Sequence, residues 1–158
     1  MGESVLRMRA ILIAVVVAAA GTMHAQMKPV PAHAPLPPAL QTAPDLPIES
    51  ARRISRDDAL RLTAKGEAVF VDVRSLQSYT AAHIRGAISI PQSKLLERLS
   101  DLPPRKMLIT YCACKEEHTA ALAVLFYNRH GIKNVAALRG GWKEWYGSGL
   151  PVESGAPR

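Results

Sequence analysis

Two cysteines, Cys112 and Cys114, stand one residue apart in the stretch Tyr111-Cys112-Ala113-Cys114-Lys115-Glu116-Glu117-His118-Thr119. They fall where an apolar run gives way to a helical pattern. Sulfur at the junction of a strand's C-terminal end and a helix N-terminus lies among unpaired backbone N–H groups, which stabilise an anion. That location suits thiolate chemistry. Together with His118 the pair also offers soft ligands to a borderline metal ion, or a dithiol for redox exchange.

The elements around this loop alternate between strand and helix patterns. Ser55, Arg56, Asp57 and Asp58 resemble a capping box, and the helix they open is expected to run to about Lys65 and stop at Gly66. Residues 68–73 are apolar without alternation and read as a strand buried on both faces. A helix over 76–82, a short strand over 87–90 halted by Pro91, and a helix over 93–99 closed by Pro103 and Pro104 are expected next. The strand 107–111 leads into the cysteine loop, followed by an Ala/Leu-rich helix over 119–129, a strand over 135–138 and a short helix beginning near Gly140. Such alternation implies an α/β domain whose parallel sheet is covered by helices on both faces. In sheets of that kind the site lies beyond the carboxyl ends of the strands, where the cysteine loop falls.

The N-terminal residues read as an address. Arg7 and Arg9 precede an apolar run over 10–20, and small residues follow it as far as Ala25. These are the proportions of a secretory signal peptide over 1–25, with a retained anchor as the rival. The run is short for a membrane span. Residues 26–50 carry seven prolines and read as a semi-rigid linker. The folded domain is expected over 51–152, with 153–158 as a tail, and the expected location is periplasmic or secreted.

A net charge of +7 is spread without long basic runs or interleaved aromatics, which argues against a nucleic-acid footprint. It favours attraction of a small anion. Two cysteines so close together exclude a disulfide framework between distant parts, and oxidation of such a pair closes a small, labile ring.

Asp72 and Arg74 in the strand 68–73 and its continuation, Tyr79, the run His83 to Gly86, Tyr111-Cys112, the run Gly131 to Val135, Leu138-Arg139-Gly140-Gly141-Trp142 and Trp145 together resemble a single-domain rhodanese over about residues 54–150. The resemblance implies a three-layer rhodanese-like fold and a sulfurtransferase. A loop cysteine takes sulfane sulfur from a small anionic donor such as thiosulfate and holds it as a persulfide. It then passes the sulfur to cyanide, a thiol or a protein acceptor, without a cofactor or resident metal. Membrane contact is expected only through an uncleaved signal segment.

The loop departs from the usual family pattern in lacking a mid-loop glycine and a terminal arginine. Cys112 directly follows the strand, as the family nucleophile does, and is the favoured nucleophile; Cys114 is the alternative or a resolving thiol. Counting back from Gly131 gives Cys114 the usual helix spacing. Donor binding is assigned to the loop backbone of Ala113, Lys115, Glu116, Glu117, His118 and Thr119, with weaker roles for Arg74 and Arg139. Glu116 and Glu117 are expected to face solvent, because inward carboxylates oppose a thiolate. Asp72 and Arg74 more simply fix neighbouring loops, His83 reads as a structural histidine, and Trp142 and Trp145 read as packing residues. A catalytically silent binding module is the competing function, with the thiol-redox or metal-binding loop as a third.

Overall fold

The computed structural model describes residues 48–157. The signal-peptide reading and all of the linker reading before Ile48 lie outside the described residues. A five-stranded, all-parallel sheet is built from β1 (Arg53–Ile54), β2 (Ala68–Asp72), β4 (Ile88–Ser89), β5 (Met107–Tyr111) and β6 (Val135–Leu138), in the order β1-β6-β5-β2-β4. A separate antiparallel ribbon pairs β3 (His83–Ile84) with β7 (Val152–Glu153). The helices are α1 (Arg56–Ala64), α2 (Leu76–Ala81), α3 (His118–Arg129) and α4 (Gly141–Gly147).

Strand periodicity divides the core into two layers. Val71, Leu108, Val135 and Ala137 face a cluster with Ala120, Val124 and Tyr127 of α3. Phe70, Ile109, Ala136 and Leu138 face the opposite cluster, which holds Ala59 of α1, Tyr79 of α2 and Trp145 of α4. Both faces of the sheet are therefore covered, as the apolar strands require. β5 is central, flanked by β2 and β6. The expected three-layer α/β architecture is the one observed.

Local signals act as expected at α1 and α2. Ser55 and Ser75 are N-caps whose side chains accept the N–H groups of Asp58 and Ser78. Three expectations need correction. The helix over 93–99 is replaced by 3-10 turns at Gln92–Lys94 and Leu99–Asp101. Of its apolar residues only Leu95 is fully buried, while Leu96 is half exposed, and so short a segment gains too little packing to propagate a helix. The folded region begins before residue 51: Ile48–Ser50 form a 3-10 turn, Ile48 packs on the core, and Arg53 Nη1 donates to the carbonyls of Ile48 and Ala51. The tail is also integrated, since Glu153 lies in β7 and accepts the Gly86 N–H at 2.9 Å.

Candidate active site

Parallel strands deliver Ile54, Val73, Cys112 and Arg139 to the same edge of the sheet. Cys112, the residue after β5, is only 3 % exposed. Its carbonyl accepts the Trp142 N–H at 2.9 Å. That approach depends on Gly141: its φ is +49°, and a Cβ there would lie 2.5 Å from the Cys112 oxygen. The turn before α4 thus meets the start of the sulfur loop backbone to backbone.

Cys114, by contrast, is exposed. The two cysteines are joined by a disulfide. Thr119, the second residue of α3, donates its backbone N–H to Cys114 Sγ at 3.2 Å, and its Oγ1 lies 3.4 Å from the same sulfur. First-turn N–H groups have no partner within a helix, so Cys114 sulfur serves as a cap on a twelve-residue helix. Among the described residues, the Thr119 backbone N–H thus reaches the sulfur of Cys114 and not that of Cys112, the favoured nucleophile of the sequence.

The chain turns between the cysteines and α3 through two consecutive left-handed residues, Glu116 (φ 55°) and Glu117 (φ 51°). They occupy the conformation that a mid-loop glycine would adopt without steric cost. Lys115 and Glu116 are exposed, with Lys115 Nζ 3.5 Å from the Glu116 carboxylate. Glu117 does not face solvent as expected. Its Oε1 accepts the Gly140 N–H at 2.7 Å, and its Oε2 accepts from Arg53 Nε at 3.4 Å. Partners 23 and 64 residues away balance the charge of this carboxylate. Arg53 and Gly141 are the residues whose local roles the sequence reading did not assign; neither carries a local signal for them.

A depression of about 320 Å³ opens beside the loop, bounded by Arg53, Glu116, Glu117, His118 and Arg139. Ala113 and His118 are exposed on the loop itself, and Arg139 is exposed on the rim. Arg139 is thus brought to the site, while Arg74 is committed elsewhere.

Arg74 grips Asp72 through Nε at 2.9 Å and Nη2 at 2.6 Å, and Nη2 also donates to the Ala82 carbonyl at 2.7 Å. Tyr111 Oη donates to the other side of this cluster, 2.7 Å from Asp72 Oδ2, and accepts the Ile84 N–H at 3.1 Å. Burial would depress the Arg74 pKa, but hydrogen bonding and charge from Asp72 outweigh it and raise it. Burial, and then the Asp72 charge, push the Tyr111 hydroxyl far above the ordinary phenol range. The guanidinium also lies 4.1 Å from the Trp142 ring centroid. This cluster fixes the base of the loop; its geometry gives Arg74 no free fork for a donor.

The remaining residues have packing roles. His83 is buried, stacks on Tyr79 and places Nδ1 2.8 Å from the Tyr79 carbonyl. Trp145 packs edge-on against Phe70, with Nε1 donating to the Pro151 carbonyl at 3.1 Å.

The Rhodanese-like domain family model matches residues 55–148. This chain belongs to the rhodanese family. It is 34 % identical over 96 residues to the thiosulfate sulfurtransferase GlpE of Pseudomonas entomophila, covering 60 % of this chain and 84 % of that one. An HTH-type transcriptional regulator of Mycobacterium tuberculosis is 39 % identical over 104 residues, which are 66 % of this chain and 46 % of the regulator. The rhodanese chain thus spans less than half of that relative. Among solved structures, a thiosulfate sulfurtransferase of Pseudomonas aeruginosa superposes with a TM-score of 0.61 at 31 % identity, over 70 % of this chain and 21 % of that one. A Bacillus halodurans protein gives a TM-score of 0.60 at 29 % identity, over 67 % and 79 % of the two chains. The family and its GlpE relatives support sulfurtransferase activity in general terms.

Proposed function

We propose that this protein is an exported sulfurtransferase that takes sulfane sulfur from a small anion such as thiosulfate and holds it as a persulfide on Cys114. Delivery is to cyanide, a small thiol or a cysteine of an acceptor protein. The observation that carries this reading is the Thr119 N–H on Cys114 Sγ at the start of α3. In the reduced protein that N–H and the positive end of the helix favour the thiolate. Cys114 is exposed to a donor and Cys112 is not, so the proposal moves the nucleophile from the strand-end cysteine to its neighbour. The helix length counted back from Gly131 supports the same choice.

In the step itself the Cys114 thiolate attacks the outer sulfur of thiosulfate. The sulfur–sulfur bond breaks, and sulfite leaves with its electron pair. Arg139 on the rim supplies positive charge toward an incoming anion. Glu117 is paired with Arg53 and the Gly140 N–H, which limits its repulsion of the donor. Export rests on the basic and apolar N-terminal sequence, in keeping with a compartment where a disulfide persists.

Intact-mass spectrometry of the reduced chain after brief thiosulfate treatment tests the reading. Addition of one sulfur atom to the Cys112→Ser variant, and none to Cys114→Ser, is expected. Absence of a persulfide on the parent and on both variants would favour a silent binding module. Recovery of the uncleaved chain from the cytoplasm would overturn export.

A further inference from the structure

We propose that Cys112 is the resolving thiol for a persulfide on Cys114, so that the site reduces sulfane sulfur to sulfide and comes to rest as the Cys112–Cys114 disulfide. This rests on the persulfide reading above and adds a second half-reaction to it. Three observations bear on the role of Cys112. The disulfide shows that its sulfur reaches Cys114 Sγ, the inner sulfur of the persulfide, while β5 remains paired on both sides. Its 3 % exposure shields it from a bulky donor or acceptor in solution, leaving its neighbour as the accessible partner. Its backbone is held from the other side by the Trp142 N–H, and the absence of a side chain at Gly141 permits that approach. The cysteine is fixed where external chemistry cannot use it and internal chemistry can.

The reaction balances without an external oxidant. Cys112 enters as a thiol and Cys114 as a deprotonated persulfide. Cys112 sulfur bonds to Cys114 Sγ, the bond from Sγ to the outer sulfur breaks, and that sulfur leaves with the electron pair and the Cys112 proton as hydrosulfide. The two cysteine sulfurs lose two electrons and the departing sulfur gains them. A dithiol reductant completes the cycle. It attacks the exposed Cys114 sulfur, displaces Cys112, and closes to its own cyclic disulfide. One dithiol is consumed for each sulfide released.

A single-turnover experiment on the fully reduced, desalted full chain tests this, with thiosulfate under anaerobic conditions and no added thiol. Sulfide is read colorimetrically and the protein by intact mass. The parent is expected to release about one equivalent of sulfide and to end about two mass units below the reduced chain, the signature of a disulfide. Cys112→Ser should stop at the persulfide, release sulfide at least about tenfold more slowly, and still pass its sulfur to cyanide. Because Cys112 is buried, Cys112→Ala is run in parallel, and each variant's thermal transition is compared with the parent's. A parent that keeps the added sulfur and both thiols overturns the proposal, as does equal sulfide release from parent and Cys112 variants. A persulfide found on Cys114→Ser but not on Cys112→Ser would reverse the two roles and overturn it too. Absence of any persulfide or sulfide from parent and variants alike would instead remove the sulfurtransferase reading on which the proposal stands.

Discussion

Glu117 Oε1 accepts the Gly140 N–H at 2.7 Å, so a side chain of the sulfur loop holds the turn that begins α4. The same carboxylate meets Arg53 of β1. One residue thereby links three strand-end segments at the mouth of the site. Glu117→Ala should cost about 2 kcal/mol in urea unfolding, the range for hydrogen bonds to a charged group. Glu117→Gln keeps an acceptor for Gly140 and should cost about half as much, with only a modest change in sulfur-transfer rate. Equal stability losses in the two variants would count against this linkage.

Glu116 has a left-handed backbone and an exposed side chain whose ion pair with Lys115 is weak. Glu116→Gly removes the steric cost of that conformation, about 1 kcal/mol, against a smaller cost from the greater conformational entropy that a glycine gives the unfolded chain. The variant is expected to be as stable as the parent or slightly more so. Glu116→Val should be less stable, since a β-branched residue suits that backbone poorly. Denaturant midpoints of the reduced proteins check both.

Gly141→Ala would drive a methyl group into the Cys112 carbonyl at a position where φ is already +49°. A loss of about 2 kcal/mol or more is expected, along with slower sulfur transfer, because the Trp142 N–H can no longer reach the loop. A variant with unchanged stability and rate would refute the close approach.

Arg74→Ala leaves Asp72, which has no exposed surface, without its bidentate partner. Breaking a buried pair from one side costs roughly 3–5 kcal/mol. Arg74→Lys should recover only part of that, because an ammonium cannot reproduce the fork and the ring stacking. Thermal unfolding of the three proteins at neutral pH measures the difference.

Tyr127 is buried, its Oη has no hydrogen-bond partner among the described residues, and burial raises its pKa above the ordinary value of 10.0. Tyr111 is raised as well. The folded protein keeps both protons above pH 10 while the unfolded chain releases them. Stability should therefore fall as pH rises past 10, by about 1.4 kcal/mol per pH unit for each group. Tyr127→Phe removes one of these groups and an unsatisfied hydroxyl. It should be neutral to slightly stabilising at pH 7 and halve the alkaline slope. An unchanged slope in the variant would argue against a raised Tyr127 pKa.

The long strands and the capped helices were legible because their signals are local. β2 and β5 are continuous apolar runs, and Ser55 announces α1 three residues ahead of the N–H it caps. The two-residue strands β1, β3 and β7 were not legible, since each exists only through a distant partner. The cysteine pair and its helix junction could be read directly. The orientation of the two sulfurs could not: it depends on Thr119, Gly141 and Trp142 meeting the loop in space. Arg53 likewise carries no local signal, because its role depends on a glutamate 64 residues later.

The central position of β5 has a consequence for how the molecule breathes. Amides of Ile109 and Thr110, paired on both sides in the middle of the sheet, should exchange with solvent only through global opening. Those of Lys115 and Glu116, a few residues downstream, should exchange orders of magnitude faster through local fluctuation. Sulfur chemistry then takes place at a sharp boundary between the slowest and fastest parts of the protein, so the loop can be reshaped by oxidation and reduction while the strand beneath it keeps its protection.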